Sequence, residues 1–197
     1  MLDRNKERMR KGFECPACGY KSSGGRMHFH INIHILIDLI QESYHSPPGG
    51  AGYDQLYEGD GPHDISVVIF FCTLREALLE NLISRLMSNQ HLPDGVQERL
   101  LADNKSHIQK QDKLFRALTG DKWKEAVQKA SAAVVLDYVA IDEFVQHAAN
   151  IRNEFIHSGR KWAINRELSK ACVDHVWGLI NVYVSLHNLY LHKCKNL

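Results

Sequence analysis

The sequence has almost no net charge and no long hydrophobic run. Lysine and arginine number 24 against 23 aspartates and glutamates, so the formal net charge is +1 over 197 residues. A protein that coats nucleic acid non-specifically needs a strong basic excess, so that class is disfavoured, although a local basic cleft is allowed. The apolar runs at 31–40 and 65–74 are each only about ten residues long, too short to span a bilayer. We therefore expect no membrane association.

Cysteine is also scarce, and the N-terminus has no apolar stretch. The five cysteines are odd in number and mostly scattered, which favours reduced thiols over a disulfide framework. The chain starts Met-Leu-Asp-Arg-Asn-Lys-Glu-Arg, which lacks the apolar core of a secretion signal. Together these features predict a cytoplasmic protein.

Strand signals, internal repeats and low-complexity tracts are missing as well, whereas helical periodicity is frequent. Only the first helical segment also alternates like a strand. The predicted helices are 28–44, 64–90, 96–103, 106–118, 121–132, 137–157 and 164–192. The last of them has one apolar stripe along its whole length: Ile164, Leu168, Cys172, Val176, Leu179, Tyr183, Leu186 and Tyr190. We predict an all-α fold, an antiparallel bundle of about four long helices with a short-helix insertion. A small appendage at 1–27 precedes this domain of 28–197, which contains a Pro/Gly-rich loop at 46–62.

The appendage combines a basic arm with a candidate metal knuckle. Cys15 and Cys18 stand in a Cys-Pro-Ala-Cys-Gly sequence, which places two thiolates on one tight turn as in half of a zinc site. His28 and His30 are the nearest candidates to complete tetrahedral zinc. A degenerate knuckle without metal remains the alternative, and other ligands could come from a second subunit or from His34, Cys72, Cys172 or Cys194. No carboxylate of a hydrolase motif stands beside the knuckle, so a structural zinc is favoured over a catalytic one.

The most unusual stretch ends the helix predicted at 137–157. Arg152 falls inside an apolar stripe, where a guanidinium is costly unless an anion or a wet cleft meets it. Asn153 and His157 lie one turn apart on the flank of that stripe, and Gly159 is predicted to cap the helix in a left-handed conformation. The stripe consists of Ile141, Phe144, Val145, Ala148, Ile151, Phe155 and Ile156. The simplest interpretation is a capping histidine and a salt-bridged arginine.

Charged residues on two other helices bear on this motif. Arg75 also falls in an apolar stripe, and Glu76 and Glu80 lie one turn apart at its edge. These two carboxylates are the best partners in the chain for Arg152 or Arg75. The helix at 106–118 has a basic side that we interpret as a solvated face, made of Lys105, Lys110, Lys113 and Arg116.

An all-α domain with Arg-Asn-x-x-x-His at the end of its third long helix resembles the HEPN superfamily. Arg152, Asn153 and His157 match the signature of that family, Arg-x4–6-His with a polar residue after the arginine. An acidic residue on an earlier long helix also occurs in the family, a place that Glu76 or Glu80 could fill. The resemblance covers roughly residues 28–195, and the Cys15/Cys18 knuckle is outside the common domain.

The resemblance implies a metal-independent endoribonuclease, often a toxin or defence nuclease, that acts as a homodimer with two motif helices facing one cleft. His157 of either subunit could exchange protons near neutral pH. Arg152 could hold the scissile phosphate, and Asn153 could orient the phosphate or His157. RNA is then the substrate, and an antitoxin is a possible partner.

Three other functions compete with this one. The first is a non-catalytic HEPN-like module that dimerises or acts with a nucleotidyltransferase partner. The second is a zinc-knuckle nucleic-acid-binding protein that depends on Cys15, Cys18 and the basic arm. The third is a structural interaction protein in which Arg152 forms an internal salt bridge.

Overall fold

The computed structural model describes residues 31–45, 62–132, 134, 136–159 and 163–191. The predicted appendage at 1–27 and nearly all of the loop at 46–62 lie outside the described residues. The same holds for four of the candidate zinc ligands and one alternative: Cys15, Cys18, His28, His30 and Cys194.

The described residues form helices and no strand, as the periodicity predicts. In chain order they are α1 (Ile31–His45), α2 (Pro62–Asn89), α3 (Asp94–Asp103), α4 (His107–Gln109), a π-helix (Lys110–Phe115), α5 (Arg116–Thr119), α6 (Trp123–Ala132), α7 (Tyr138–Ser158) and α8 (Arg166–Leu191). The all-α class is therefore confirmed for this part of the chain. None of the described helices is long and apolar enough to cross a membrane.

Local sequence explains where α7 begins and ends. The side chain of Asp137 accepts hydrogen bonds from the backbone N–H groups of Val139 and Ala140, both at 3.1 Å. Such an N-cap satisfies two of the donors that the first turn leaves unpaired. Gly159 adopts φ +67°, and its N–H donates to the carbonyl of Phe155 at 2.8 Å. The predicted left-handed cap after His157 is thus confirmed.

Helix α2 lies at the centre of the packing and contacts α1, α7, α8 and the π-helix. Its apolar side chains are buried on more than one side, which explains why the helix shows so little polar face. The apolar stripe predicted for α8 is buried along most of its length: Leu168, Cys172, Val176, Leu179, Tyr183 and Leu186. Cys72 and Cys172 are both free thiols inside this core.

Residues 94–132 form the short-helix insertion, which is fixed to the bundle by aromatic packing. The ring of Phe115 lies 5.1 Å from the ring of Trp123 and 5.4 Å from that of Tyr190 on α8, both edge-on. The hydroxyl of Tyr190 also donates to Asp121 at 2.6 Å. These contacts hold the insertion against α8. Within it, α4, the π-helix and α5 follow one another without a break and form the insertion helix, 107–119, whose π-helix packs against α2.

Candidate functional site

Arg152 is held by a carboxylate of the central helix. Its guanidinium Nη2 donates a short hydrogen bond to Oε1 of Glu76 on α2. The Arg152 side chain is 19% exposed and that of Glu76 is 49% exposed, so the pair borders solvent. Burial acts to lower the pKa of Arg152, but the hydrogen bond and charge of Glu76 outweigh it and raise that pKa overall. The sequence predicted Glu76 as one of two possible partners, and this ion pair is present.

Cys72 lies one helical turn before Glu76 and touches the same guanidinium. Burial raises the pKa of the Cys72 thiol, whereas the charge of Arg152 and its hydrogen bond to the sulfur oppose that rise. The thiol therefore stays protonated near neutral pH and is a poor metal ligand. The Nε atom of Arg152 is buried and has no hydrogen-bond partner in the described structure.

Arg75 is a second arginine on the same side of α2, and it is only 4% exposed. Its Nη2 donates to Oε1 of Gln146 on α7 at 2.6 Å. No carboxylate of the described residues lies within ion-pair distance of Arg75, so of the two arginines for which Glu76 and Glu80 were expected as partners, only Arg152 is paired with one of them. The amide of Gln146 in turn donates to Asn150 at 3.1 Å. A buried guanidinium without a carboxylate is unusual and leaves this region electropositive.

Glu80 instead pairs with the insertion. Its Oε2 lies 2.6 Å from Nζ of Lys110, whose side chain is only 14% exposed. The interpretation of Lys110 as part of a solvated face is therefore wrong, because the start of the insertion helix packs onto α2. The amphipathic pattern identified a basic side but gave no information on which tertiary neighbour would cover it.

His107 was not selected from the sequence, yet it lies near Arg75, Lys110 and Arg152, which together form a cationic cluster. Both of its ring nitrogens are buried and lack hydrogen-bond partners among the described residues. Burial, together with the charges of Arg75, Lys110 and Arg152, lowers the pKa of His107 to about 3. The imidazole is thus neutral at physiological pH. The only local signal was its place after Ser106, which caps the helix by accepting from the N–H of Gln109 at 3.1 Å.

His157 and Asn153 lie apart from the Arg152–Glu76 pair. Both side chains are exposed, and His157 follows Arg152 by five residues, about 7.5 Å along a helix axis. Neither makes a side-chain hydrogen bond or ion pair with another described residue. The neighbouring Ile156 is 53% exposed. Within one chain the structure joins Arg152 to Glu76, but it does not bring His157 or Asn153 to that pair.

A groove of about 610 Å³ lies between the insertion and α7, beside the cationic cluster. The amides of Gln111 and Gln146, the indole of Trp123 and the carboxylate of Asp142 line its interior. Gln146 connects the groove to the cationic cluster, because its side chain lines the groove and accepts a hydrogen bond from Arg75. Charged side chains of both signs surround it: Arg116, Lys122, Lys124, Asp112 and Glu143. This size is within the usual range for small-molecule sites.

Among the described residues, no group of three or more histidine, cysteine or acidic side chains is arranged to hold a metal ion. Of the alternative zinc ligands, Cys72 and Cys172 are buried in the core, and burial raises the pKa of both thiols. The knuckle itself lies outside the described part, so the predicted zinc site stays a prediction.

Comparison with protein-family models, with curated proteins and with solved structures found no match to this chain.

Proposed function

We propose that this protein is a metal-independent endoribonuclease of the toxin or defence type, acting as a homodimer. The observation that carries the proposal is the Arg152–Glu76 pair at the solvent border, beside Arg75, which has no carboxylate of the described residues within ion-pair distance. A guanidinium fixed by a carboxylate is preorganised to bind a phosphate and to stabilise the charge that develops on it.

In this reaction the 2′-hydroxyl of the RNA attacks the adjacent phosphorus. His157 accepts the 2′ proton or donates a proton to the departing 5′-oxygen, and the products are a 2′,3′-cyclic phosphate and a 5′-hydroxyl. Arg152 holds the non-bridging oxygens, Glu76 positions Arg152, and Asn153 orients the phosphate or His157. A second copy would provide the histidine that acts with Arg152, because His157 is exposed and does not touch Arg152 within one chain.

The test is cleavage of total RNA in EDTA by the wild type and by Arg152→Ala and His157→Ala. We expect the wild type to leave 2′,3′-cyclic phosphate ends and each variant to lose at least about a hundredfold in rate, because His157→Ala removes a general acid–base group and Arg152→Ala removes a group that stabilises charge on the phosphate. Two exposed residues provide matched controls that should keep full activity, His147→Ala on α7 and Arg99→Ala on α3.

Chelation could remove a zinc from Cys15 and Cys18, so circular dichroism must show that each protein keeps its helices in EDTA. Absence of cleavage by folded wild type would contradict the proposal. That result would favour the rival function, a non-catalytic HEPN-like module in which Arg152–Glu76 is only an interhelical salt bridge.

A further inference from the structure

The groove beside Gln146 contains a carboxylate with an unused acceptor. Oδ1 of Asp142 accepts from the indole N–H of Trp123 at 3.1 Å, and no described residue donates to Oδ2. No lysine or arginine of the described structure forms an ion pair with Asp142. Burial raises the pKa of Asp142, and the hydrogen bond from Trp123 and the charges of Arg75 and Lys124 only partly oppose this effect. A partly desolvated carboxylate that lines a groove is suited to bind ligand N–H donors.

The π-helix contributes an unsatisfied amide to the lining of the groove. Gln111 is 7% exposed, and its Nε2 is buried without a hydrogen-bond partner among the described residues. Buried polar groups are nearly always paired, and leaving one unpaired costs on the order of 1–3 kcal/mol. A ligand acceptor seated in the groove would satisfy this donor. A ligand that satisfies both residues must present an acceptor to Gln111 and hydrogen-bond donors to Asp142.

The rim carries charges of both signs, which restricts the class of ligand. Arg116 and Lys124 are exposed and form no ion pair with another described residue, and Asp112 and Glu143 lie beside them. The rim thus has little excess charge, so a polyanion would not be bound by charge alone. A ligand that presents hydrogen-bond donors at one end and a single anionic group at the other fits this distribution.

We propose that the groove binds a guanine nucleotide unit. Guanine presents two adjacent donors, N1–H and the N2 amine, which Asp142 can accept, and a neighbouring O6, which can accept from Gln111. The phosphate then lies at the rim near Lys124 or Arg116. The inference rests on the proposed ribonuclease function in one respect, namely that the nucleotide belongs to an RNA strand whose next phosphate reaches Arg152. Gln146 connects the two regions through its bond to Arg75.

The first test is calorimetric binding of GMP, AMP and XMP to the wild-type protein and to Asp142→Asn. We expect the wild type to favour GMP over AMP by about tenfold or more, the usual effect of a bidentate base contact. Asparagine can still accept from Trp123, so the variant should fold. Its amide nitrogen is a donor, so it should bind GMP at least about tenfold more weakly and should prefer XMP, in which a carbonyl replaces the N2 amine.

Glu98→Gln, an exposed carboxylate on α3, is the matched control and should keep the GMP preference. The inference is overturned if the wild type binds no mononucleotide, if it binds GMP and AMP equally, or if Asp142→Asn keeps the preference for GMP. A gain of XMP binding cannot come from a merely structural role of Asp142.

A second test separates this inference from the ribonuclease proposal. Arg152→Ala and His157→Ala should bind GMP as tightly as the wild type, whether or not they cleave RNA. GMP binding without RNA cleavage would contradict only the ribonuclease function. Short single-stranded RNAs with one guanine or one adenine at the same place identify the source of the ligand. Stronger binding of the guanine strand assigns the groove to RNA, and equal binding assigns it to a free nucleotide.

Discussion

At the scale of single residues, two arginines in apolar stripes differ in the partner that compensates the charge of the guanidinium. Arg152 reaches a carboxylate, Glu76, at the solvent border, whereas Arg75 is nearly fully buried and bonds only to the amide of Gln146 among the described residues. An amide dipole compensates a guanidinium charge far less than a carboxylate does. The local potential around Arg75 therefore stays positive, and this charge contributes to the lowered pKa of His107.

The lowered pKa of His107 predicts a pH-dependent stability. In the unfolded chain an ordinary histidine has a pKa near 6.5, and in the fold burial and the neighbouring cations lower the pKa of His107 to about 3. Between these values the unfolded state binds more protons, so stability is complete above pH 6.5 and is lost as the pH falls toward 3. We expect His107→Gln to reduce the slope of the unfolding free energy in this window by up to about 1.4 kcal/mol per pH unit.

Urea unfolding at several pH values between 4 and 7 measures this slope. His147→Gln, an exposed histidine on α7, is the matched control and should keep the wild-type slope. Equal slopes for wild type and His107→Gln would show that His107 is not held neutral by the surrounding cations.

At the scale of elements, α7 determines where the candidate catalytic residues stand. Its N-cap at Asp137 and its end at Gly159 follow from local chemistry, so the register of Arg152 and His157 on the helix is fixed by sequence. The insertion helix is different. Its central turn is a π-helix at Lys110–Phe115, which is rare and often found at functional sites. Periodicity predicted an ordinary helix there, because a single widened turn leaves no clear mark in a short pattern.

The end of α7 gives a prediction on the stability of an element. Gly159→Ala should lower the unfolding free energy by roughly 1 kcal/mol, because a side chain disfavours φ +67°. Gly95→Ala in α3 is the control: nothing lies within 4 Å of an added Cβ, and its φ is not positive, so stability should hold or rise slightly. Chemical denaturation measures both. An unchanged Gly159→Ala protein would mean that α7 does not end at this residue in solution.

At the scale of the whole molecule, the proposed site is incomplete in one chain. His157 and the exposed Ile156 lie at the end of α7, away from the Arg152–Glu76 pair. A second copy that packs against this end would bring another His157 into the cleft and would cover Ile156. The protein should then be a dimer by light scattering.

Mixing two inactive variants tests this arrangement. If one cleft uses Arg152 of one subunit and His157 of the other, Arg152→Ala and His157→Ala should regain ribonuclease activity after subunit exchange. Mixing either with the double variant should restore nothing. Heterodimers verified by mass spectrometry that remain inactive would show that each catalytic set belongs to a single chain.

The sequence alone determined the features that depend on neighbours along the chain. Helical periodicity indicated the all-α class, the stripe of α8 indicated which face is buried, and Gly159 marked the end of α7. These features are set by backbone geometry and by the burial of apolar side chains, and both can be read over a few turns. The sequence also predicted the Arg152–Glu76 pair as one of few possibilities. A charge in an apolar stripe is costly without a partner, and few carboxylates lie on the other helices where they could pair with it.

Only the tertiary structure decided which helix covers which charge. In the folded chain Glu80 pairs with Lys110 rather than with an arginine, and Arg75 bonds to Gln146. His107 is buried near three cations, and Gln111 and Asp142 line one groove. Each contact joins residues that are far apart in sequence, and each depends on how the insertion packs onto α2 and α7. Amphipathic patterns report that a face is covered, but the choice of the covering partner results from the packing of the whole chain.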